Sequence, residues 1–113
     1  MRVVLLARDL ITASRIAETL ARAAIDLRRV EDPVELPPAE SVDLLLVDWG
    51  DRRPEWGSRL TSWRTNAPES AGLRVIVFGP HTDLAAHADA RAAGLGPMWA
   101  RSRLFVELPN QVS

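Results

Sequence analysis

Hydrophobic and polar positions along the chain alternate between two periods. Val3-Val4-Leu5-Leu6-Ala7 is a short unbroken apolar run, the pattern of a strand covered on both faces. Thr12 then stands where it can cap a helix, and Ala13, Ile16, Ala17, Leu20 and Ala24 recur at helical spacing. Leu27 to Val30 is weaker and more polar, as suits a strand near a sheet edge. From Glu31 to Pro38, three prolines leave room for one helical turn at most. Val42 to Val47 is the strongest strand pattern, and Pro54 is placed to open a helix in which Trp56, Leu60 and Trp63 share a face. Ala67 to Gly72 reads as a loop and Leu73 to Phe78 as a fourth buried strand. Asp83 to Ala93 is an alanine-rich helix closed by Gly94, with Leu84, Ala88 and Ala92 on one stripe. Met98-Trp99-Ala100 makes a short fifth strand, and a last helix over Arg103 to Leu108 is cut or bent by Pro109.

Five strands alternating with helical or loop segments predict a three-layer α/β domain of flavodoxin-like type. Its sheet is parallel, of order 2-1-3-4-5, and its second helix is reduced. Nothing in the pattern separates a second unit, so residues 1–113 read as one domain. In such sheets ligands bind beyond the carboxyl ends of the strands, at the switch point between strands 1 and 3. The residues that matter are therefore Arg8-Asp9, Asp48-Trp49-Gly50, Gly79-Pro80-His81 and Arg101-Ser102.

Composition narrows the chemistry. A formal charge of -1 offers no electrostatic footprint for nucleic acid or an anionic membrane. The absence of cysteine removes disulfides, thiolate metal sites and a thiol nucleophile together. All 14 basic residues are arginine, so lysine Schiff-base chemistry is excluded. No apolar run is long enough to span a bilayer and no leader pattern precedes the first strand, which makes the cytoplasm the expected compartment. Only His81 and His87 could add imidazole ligands, too few for a zinc site. Gly94-Leu95-Gly96 precedes a strand instead of opening a helix, and no serine sits in a nucleophile elbow. No catalytic residue emerges, and no enzymatic activity is expected.

Two carboxylates remain, Asp9 after strand 1 and Asp48 after strand 3. Adjacent strand ends put them within reach of one hard cation. Two like charges in one cleft repel, so a cation, Arg8 or a proton must compensate. The plainer reading fits the spacing equally well: both are solvated loop residues capping the helices that follow.

Over nearly the whole chain the sequence resembles the response-regulator receiver domain. Leu5-Leu6-Ala7-Arg8-Asp9 followed by Ile16 and Leu20 is similar to the family's first strand and helix. Val42-Asp43-Leu44-Leu45-Leu46-Val47-Asp48 is similar to its third strand, and Ala92-Ala93-Gly94 to the segment before its fifth. The resemblance implies that Asp48 is the phosphoacceptor for a histidine kinase. It implies that Asp9, Asp48 and the Gly50 carbonyl hold Mg²⁺. Departures weaken the implied chemistry. Arg8 replaces one carboxylate of the family's acidic pair and puts a cation in the metal's neighbourhood. Gly79 stands where the family has a phosphoryl-bonding Ser or Thr, Arg101 in place of its lysine, and Ser102 in place of a proline. Gly79 and Met98 also replace the hydroxyl and aromatic pair that reports phosphorylation. Phe78-Gly79-Pro80-His81-x-Asp83, with Ala100-Arg101-Ser102-x-x-Phe105-x-x-Leu108-Pro109, resembles small stand-alone receiver-like proteins of bacteria.

The reading that follows is a stand-alone degenerate receiver, acting as a protein-interaction module in a phosphorelay-type pathway without needing phosphorylation. Its partner is a histidine kinase or a downstream effector, and Mg²⁺ binding is weak. A working phosphoacceptor using Asp48 is the alternative; a flavodoxin-like nucleotide binder or enzyme is a third, with no ligand motif behind it. Arg8, Arg101 and His81 are the candidate charge or phosphoryl partners, although a strand-end histidine more often caps a helix or faces water. Pairing of Asp48 with Arg8 or Arg101 predicts that Asp48→Asn costs stability by stranding an arginine. Trp56 and Trp63 are read as packing, Trp49 as lying on an exposed loop and the Arg52-Arg53 pair as solvated. Trp99 borders the face that receivers use for dimers and effectors, so a homodimer is expected through the alanine-rich helix, the fifth strand and the last helix.

Overall fold

The two strongest apolar runs become adjacent central strands, Val3–Leu6 (β1) and Leu44–Asp48 (β3), with every residue of both buried. The computed structural model describes residues 1–113, apart from the side chain of Ser70. Leu27–Val30 (β2) flanks β1, while Arg74–Gly79 (β4) and then Trp99–Ala100 (β5) continue beyond β3. All pairings are parallel and the order is β2-β1-β3-β4-β5, as the alternating pattern predicts. In β2 only Val30 is buried, which places the polar strand at the edge.

Side chains alternate across the sheet and make two cores. Val4, Leu6, Leu45, Val47 and Val77 point to the face covered by Trp56–Thr65 (α2) and Leu84–Ala92 (α3). Val3, Leu5, Leu44, Leu46 and Phe78 point to the face covered by Leu10–Ala21 (α1) and Arg101–Gln111 (α4). Between β2 and β3 the proline-rich stretch makes only two 3-10 turns, Pro33–Glu35 and Ala39–Ser41. Trp63 reaches into the space beside them, its indole N–H donating to the Pro37 carbonyl at 2.8 Å.

Several local expectations are corrected. The cap of α1 is Asp9, not Thr12, and the helix stops at Ala21 because Ala24 turns into the left-handed region at φ 59°. On α3 the buried residues are Ala86 and Ala90, and Leu84 is 77% exposed. The last helix starts at Arg101 and continues past Pro109 to Gln111. Its end is held by Arg74 donating to the Gln111 side chain at 2.6 Å and by burial of Val112. Trp49 is buried, not exposed, with its indole N–H donating to the Ala86 carbonyl at 2.9 Å. Arg52 is held as well: it stacks over Trp49 and pairs with Asp89.

Trp49 and Trp56 are both fully packed, but the Trp56 indole N–H has no partner among the described residues. Losing a made bond costs more than losing an orphan donor. Trp49→Phe is therefore expected to destabilise by about 1 kcal/mol more than Trp56→Phe, as read from urea melts of the two variants. Among the described residues no helix is long and apolar enough to cross a membrane.

Candidate functional site

Asp9 lies three residues beyond the end of β1 and turns back on the helix it caps. Its Oδ1 accepts from the Ile11 backbone N–H at 3.1 Å and its Oδ2 from the Thr12 hydroxyl at 2.7 Å. These bonds, Thr12's foremost, hold the Asp9 carboxyl below the usual carboxylate range. Thr12 is buried in the first turn of α1 and accepts in turn from Arg101 Nη1 at 2.9 Å. The other arm of the Arg101 fork, Nη2, donates to Asp48 Oδ1 at 3.2 Å. One chain of contacts, Asp9–Thr12–Arg101–Asp48, thus ties the carboxyl ends of β1, β3 and β5 together.

Asp48 is 1% exposed, and its second oxygen, Oδ2, has no exposed surface and no partner among the described residues. Burial pushes its carboxyl up to about 6, against the opposing pull of Arg101 and with Asp51 and Asp9 adding repulsion. The neighbouring turn closes over the same end of the sheet. A Cβ on Gly50 would lie 2.7 Å from Pro80 Cδ, and one on Gly79 would lie 3.0 Å from both the Gly50 nitrogen and Met98 Sδ. A serine or threonine at 79 would sit tightly there, and the Gly50 backbone and the Met98 side chain would have to give by a few tenths of an ångström to admit its Cβ.

The structure brings together Asp9, Asp48 and Arg101 from the candidates read in the sequence. Gly50 lies in the turn directly after Asp48, whereas Arg8, His81 and Trp99 are left out. Arg8 is exposed and belongs to none of the ion pairs among the described residues. His81 is exposed and takes part through its backbone carbonyl, which accepts from His87 Nε2 at 2.9 Å. Trp99 is half-buried beneath Arg103, whose guanidinium carbon stands 4.0 Å from the centre of its ring. Thr12 is the member that sequence reasoning assigned to a different task. An Asp three residues ahead of a hydroxyl at the start of a helical pattern was the available signal for a cap that also fixes the hydroxyl.

The carboxylates as arranged leave a hard divalent ion few open oxygens. Each Asp9 oxygen already accepts a hydrogen bond in the first turn of α1, Asp48 Oδ1 takes the guanidinium, and Asp48 Oδ2 has no exposed surface. Among the described residues no group of three or more His, Asp or Glu side chains is gathered as metal ligands. The cation that sits against Asp48 is Arg101.

No protein-family model matches the sequence, and no curated protein does. Solved structures do. A response regulator receiver protein from Burkholderia phymatum matches at TM-score 0.70 and 18% identity, over 97% of this chain and 92% of that one. A response regulator from Hahella chejuensis matches at TM-score 0.66 and 15% identity, over 98% and 88%. The chain is a receiver-like domain in fold. A Burkholderia pseudomallei protein described as pilus assembly-related shares it at TM-score 0.70 and 13% identity, over 99% of this chain and 86% of that one. At these identities the likeness establishes architecture, and the function of this receiver-like domain has to be argued from its own site.

Proposed function

We propose that this receiver-like domain is a signalling module that binds another protein without being phosphorylated and without catalysing a reaction. The observation that carries the reading is the state of Asp48: one oxygen is held by Arg101 and the other has no exposed surface. An acyl phosphate forms only if a carboxylate oxygen can reach the donor phosphorus, and neither is free to do so. Gly79 supplies no hydroxyl to receive the phosphoryl group, and the Gly50 backbone and Met98 crowd that position. The site holds a fixed arrangement instead of switching between two.

Beside the cluster, Leu10 and Ile11 in the first turn of α1 are 62% and 75% exposed, with exposed Arg8 next to them. Adjacent exposed aliphatic side chains with a cationic neighbour suit a protein contact. On this reading the partner is a histidine kinase or a downstream effector in a phosphorelay-type pathway, and the compartment is the bacterial cytoplasm. Because Asp9 caps α1, the Asp9–Thr12–Arg101–Asp48 chain also sets the position of that docking turn.

The test is incubation with Mg²⁺ and a small phosphodonor, and in parallel with beryllofluoride. The expected outcome is no phosphoryl mass gain, no change in tryptophan fluorescence, and only weak Mg²⁺ binding by titration. A mass gain that disappears in Asp48→Asn would instead establish the phosphoacceptor reading.

A further inference from the structure

Away from the Asp48 cluster, α2 carries both halves of a self-complementary contact. Its outward ridge is made by Ser58 and Ser62, which line a hollow on either flank. On one flank stands the Pro33–Glu35 turn, with Val34 76% exposed at its tip. On the other flank a trough of about 730 Å³ runs between α2 and α3, bordered by Arg53, Gly57, Thr61 and Ala92. A Cβ on Gly57 would lie 3.3 Å from the Ala93 Cβ, so the two helices approach closely there.

The Val34 turn is built rigidly. Asp32 accepts from the Val34 backbone N–H at 2.9 Å, while the Glu35 carboxylate accepts from the backbones of Glu31 at 3.0 Å and Asp32 at 2.9 Å. A turn locked in this way loses little freedom on binding. Residues 31–40 hold Glu31, Asp32, Glu35 and Glu40 and no cation; Glu31 pairs with Arg29 at 3.3 Å and Arg59 lines the hollow between the turn and α2, which leaves Asp32 and Glu35 as the carboxylates flanking Val34. In the trough Asp89 is paired with Arg52, so the charge left to meet the turn is Arg53, which is exposed and belongs to none of the ion pairs among the described residues.

An acidic knob and a basic-edged trough lie on opposite flanks of one small-residue ridge. A two-fold axis through that ridge sets each knob over the other copy's trough, the reciprocal arrangement of an isologous contact. We propose that α2 is a two-fold dimer interface, in which Val34 of each copy sits in the α2–α3 trough of the other with its flanking carboxylates facing Arg53. The serines at the axis let the two ridges cross closely. A contact of one ridge and two knobs belongs to the small, transient class, below roughly 1,200 Å² in total. Dimerisation is therefore concentration-dependent, and it weakens with salt because part of the attraction is between exposed charges. This interface differs from the face of α3, β5 and α4 that the sequence suggests, and it does not depend on how Asp48 behaves.

Sedimentation velocity from micromolar to millimolar protein tests it, with circular dichroism to confirm that each variant is folded. The expected result is a monomer–dimer equilibrium that never exceeds the dimer and is weakened about tenfold or more by Val34→Asp or Ala92→Glu. Val34→Arg and Arg53→Glu should each weaken it too. The two combined on one chain should restore it, because each new arginine then faces the other copy's new glutamate. A monomer at every concentration would overturn the proposal, as would assemblies that grow beyond the dimer. So would a dimer untouched by Val34→Asp and abolished by Leu84→Glu, which would put association on the α3 face instead.

Discussion

Asp48→Asn is expected to make the protein more stable at pH 8 and less stable at pH 4.5. The Asp48 carboxyl sits at about 6 in the folded state, against 3.8 in its ordinary setting. Between those two values the folded chain keeps a proton that the unfolded chain has released. Stability contributed by this group is therefore fully present below about pH 4, falls as pH rises to about 6, and is gone above that. The difference corresponds to about 3 kcal/mol of ionisation cost carried at neutral and alkaline pH. Asparagine removes that cost at every pH, but its amide N–H₂ takes the place of the sealed Oδ2 and leaves an orphan donor costing about 1–3 kcal/mol. The net gain at pH 8 is about 1 kcal/mol, turning to a loss of similar size at pH 4.5. Urea melts of both proteins at the two pH values measure it. A stability difference that stays constant with pH would show that Asp48 is not held in this sealed state. At pH 8 this outcome differs from the expectation read in the sequence, that the substitution costs stability, for a structural reason. The Arg101 side chain is 38% exposed and can turn to water when its partner is neutralised, whereas Asp48 has no such escape.

The sheet was legible because strands covered on both faces must be written as unbroken apolar runs, and β1, β3 and β4 are written that way. The reduced second helix was legible from its prolines. Other features depended on contacts between distant parts of the chain. Trp49 follows a strand end and looks exposed, until its turn folds back and its indole meets Ala86, 37 residues further on. On α3 alanine occupies so many positions that the stripe Leu84, Ala88, Ala92 and the stripe Ala86, Ala90, Ala93 look equally apolar. Packing against Trp49 and α2 buries Ala86 and Ala90 and partly covers Ala93. At the site, position alone gave Asp48 two possible cations, Arg8 and Arg101. Arg101 wins because it opens α4, which packs against α1 and brings the guanidinium over Thr12.

Arg101→Met is expected to be the more damaging change at that cluster, and its cost should grow with pH. The substitution keeps an apolar stem and removes every donor, so Asp48 is left buried with both oxygens unpaired and the Thr12 hydroxyl loses a partner. Removing one member of a buried pair costs about 3–5 kcal/mol when the remaining charge cannot escape. Here it escapes by taking a proton: without the guanidinium, the Asp48 carboxyl moves further up from about 6. At pH 5 the acid is protonated in the folded state, and the variant should lose only the hydrogen bonds, about 1–2 kcal/mol. At pH 8 the loss should approach the upper range. Arg101→Lys keeps the charge but cannot span Thr12 and Asp48 with a planar fork, so it should fall between the two. Adding Asp48→Asn to Arg101→Met removes the stranded charge and should recover about 2 kcal/mol or more at pH 8, a coupling that melts of the four proteins read directly. An Arg101→Met variant within about 0.5 kcal/mol of the parent at both pH values, and additive with Asp48→Asn, would mean that Arg101 is merely a solvated side chain. In that case no polar chain would link the Leu10–Ile11 turn to Asp48, and the case for a receiver-like module held in one state by its own arginine would fall with it.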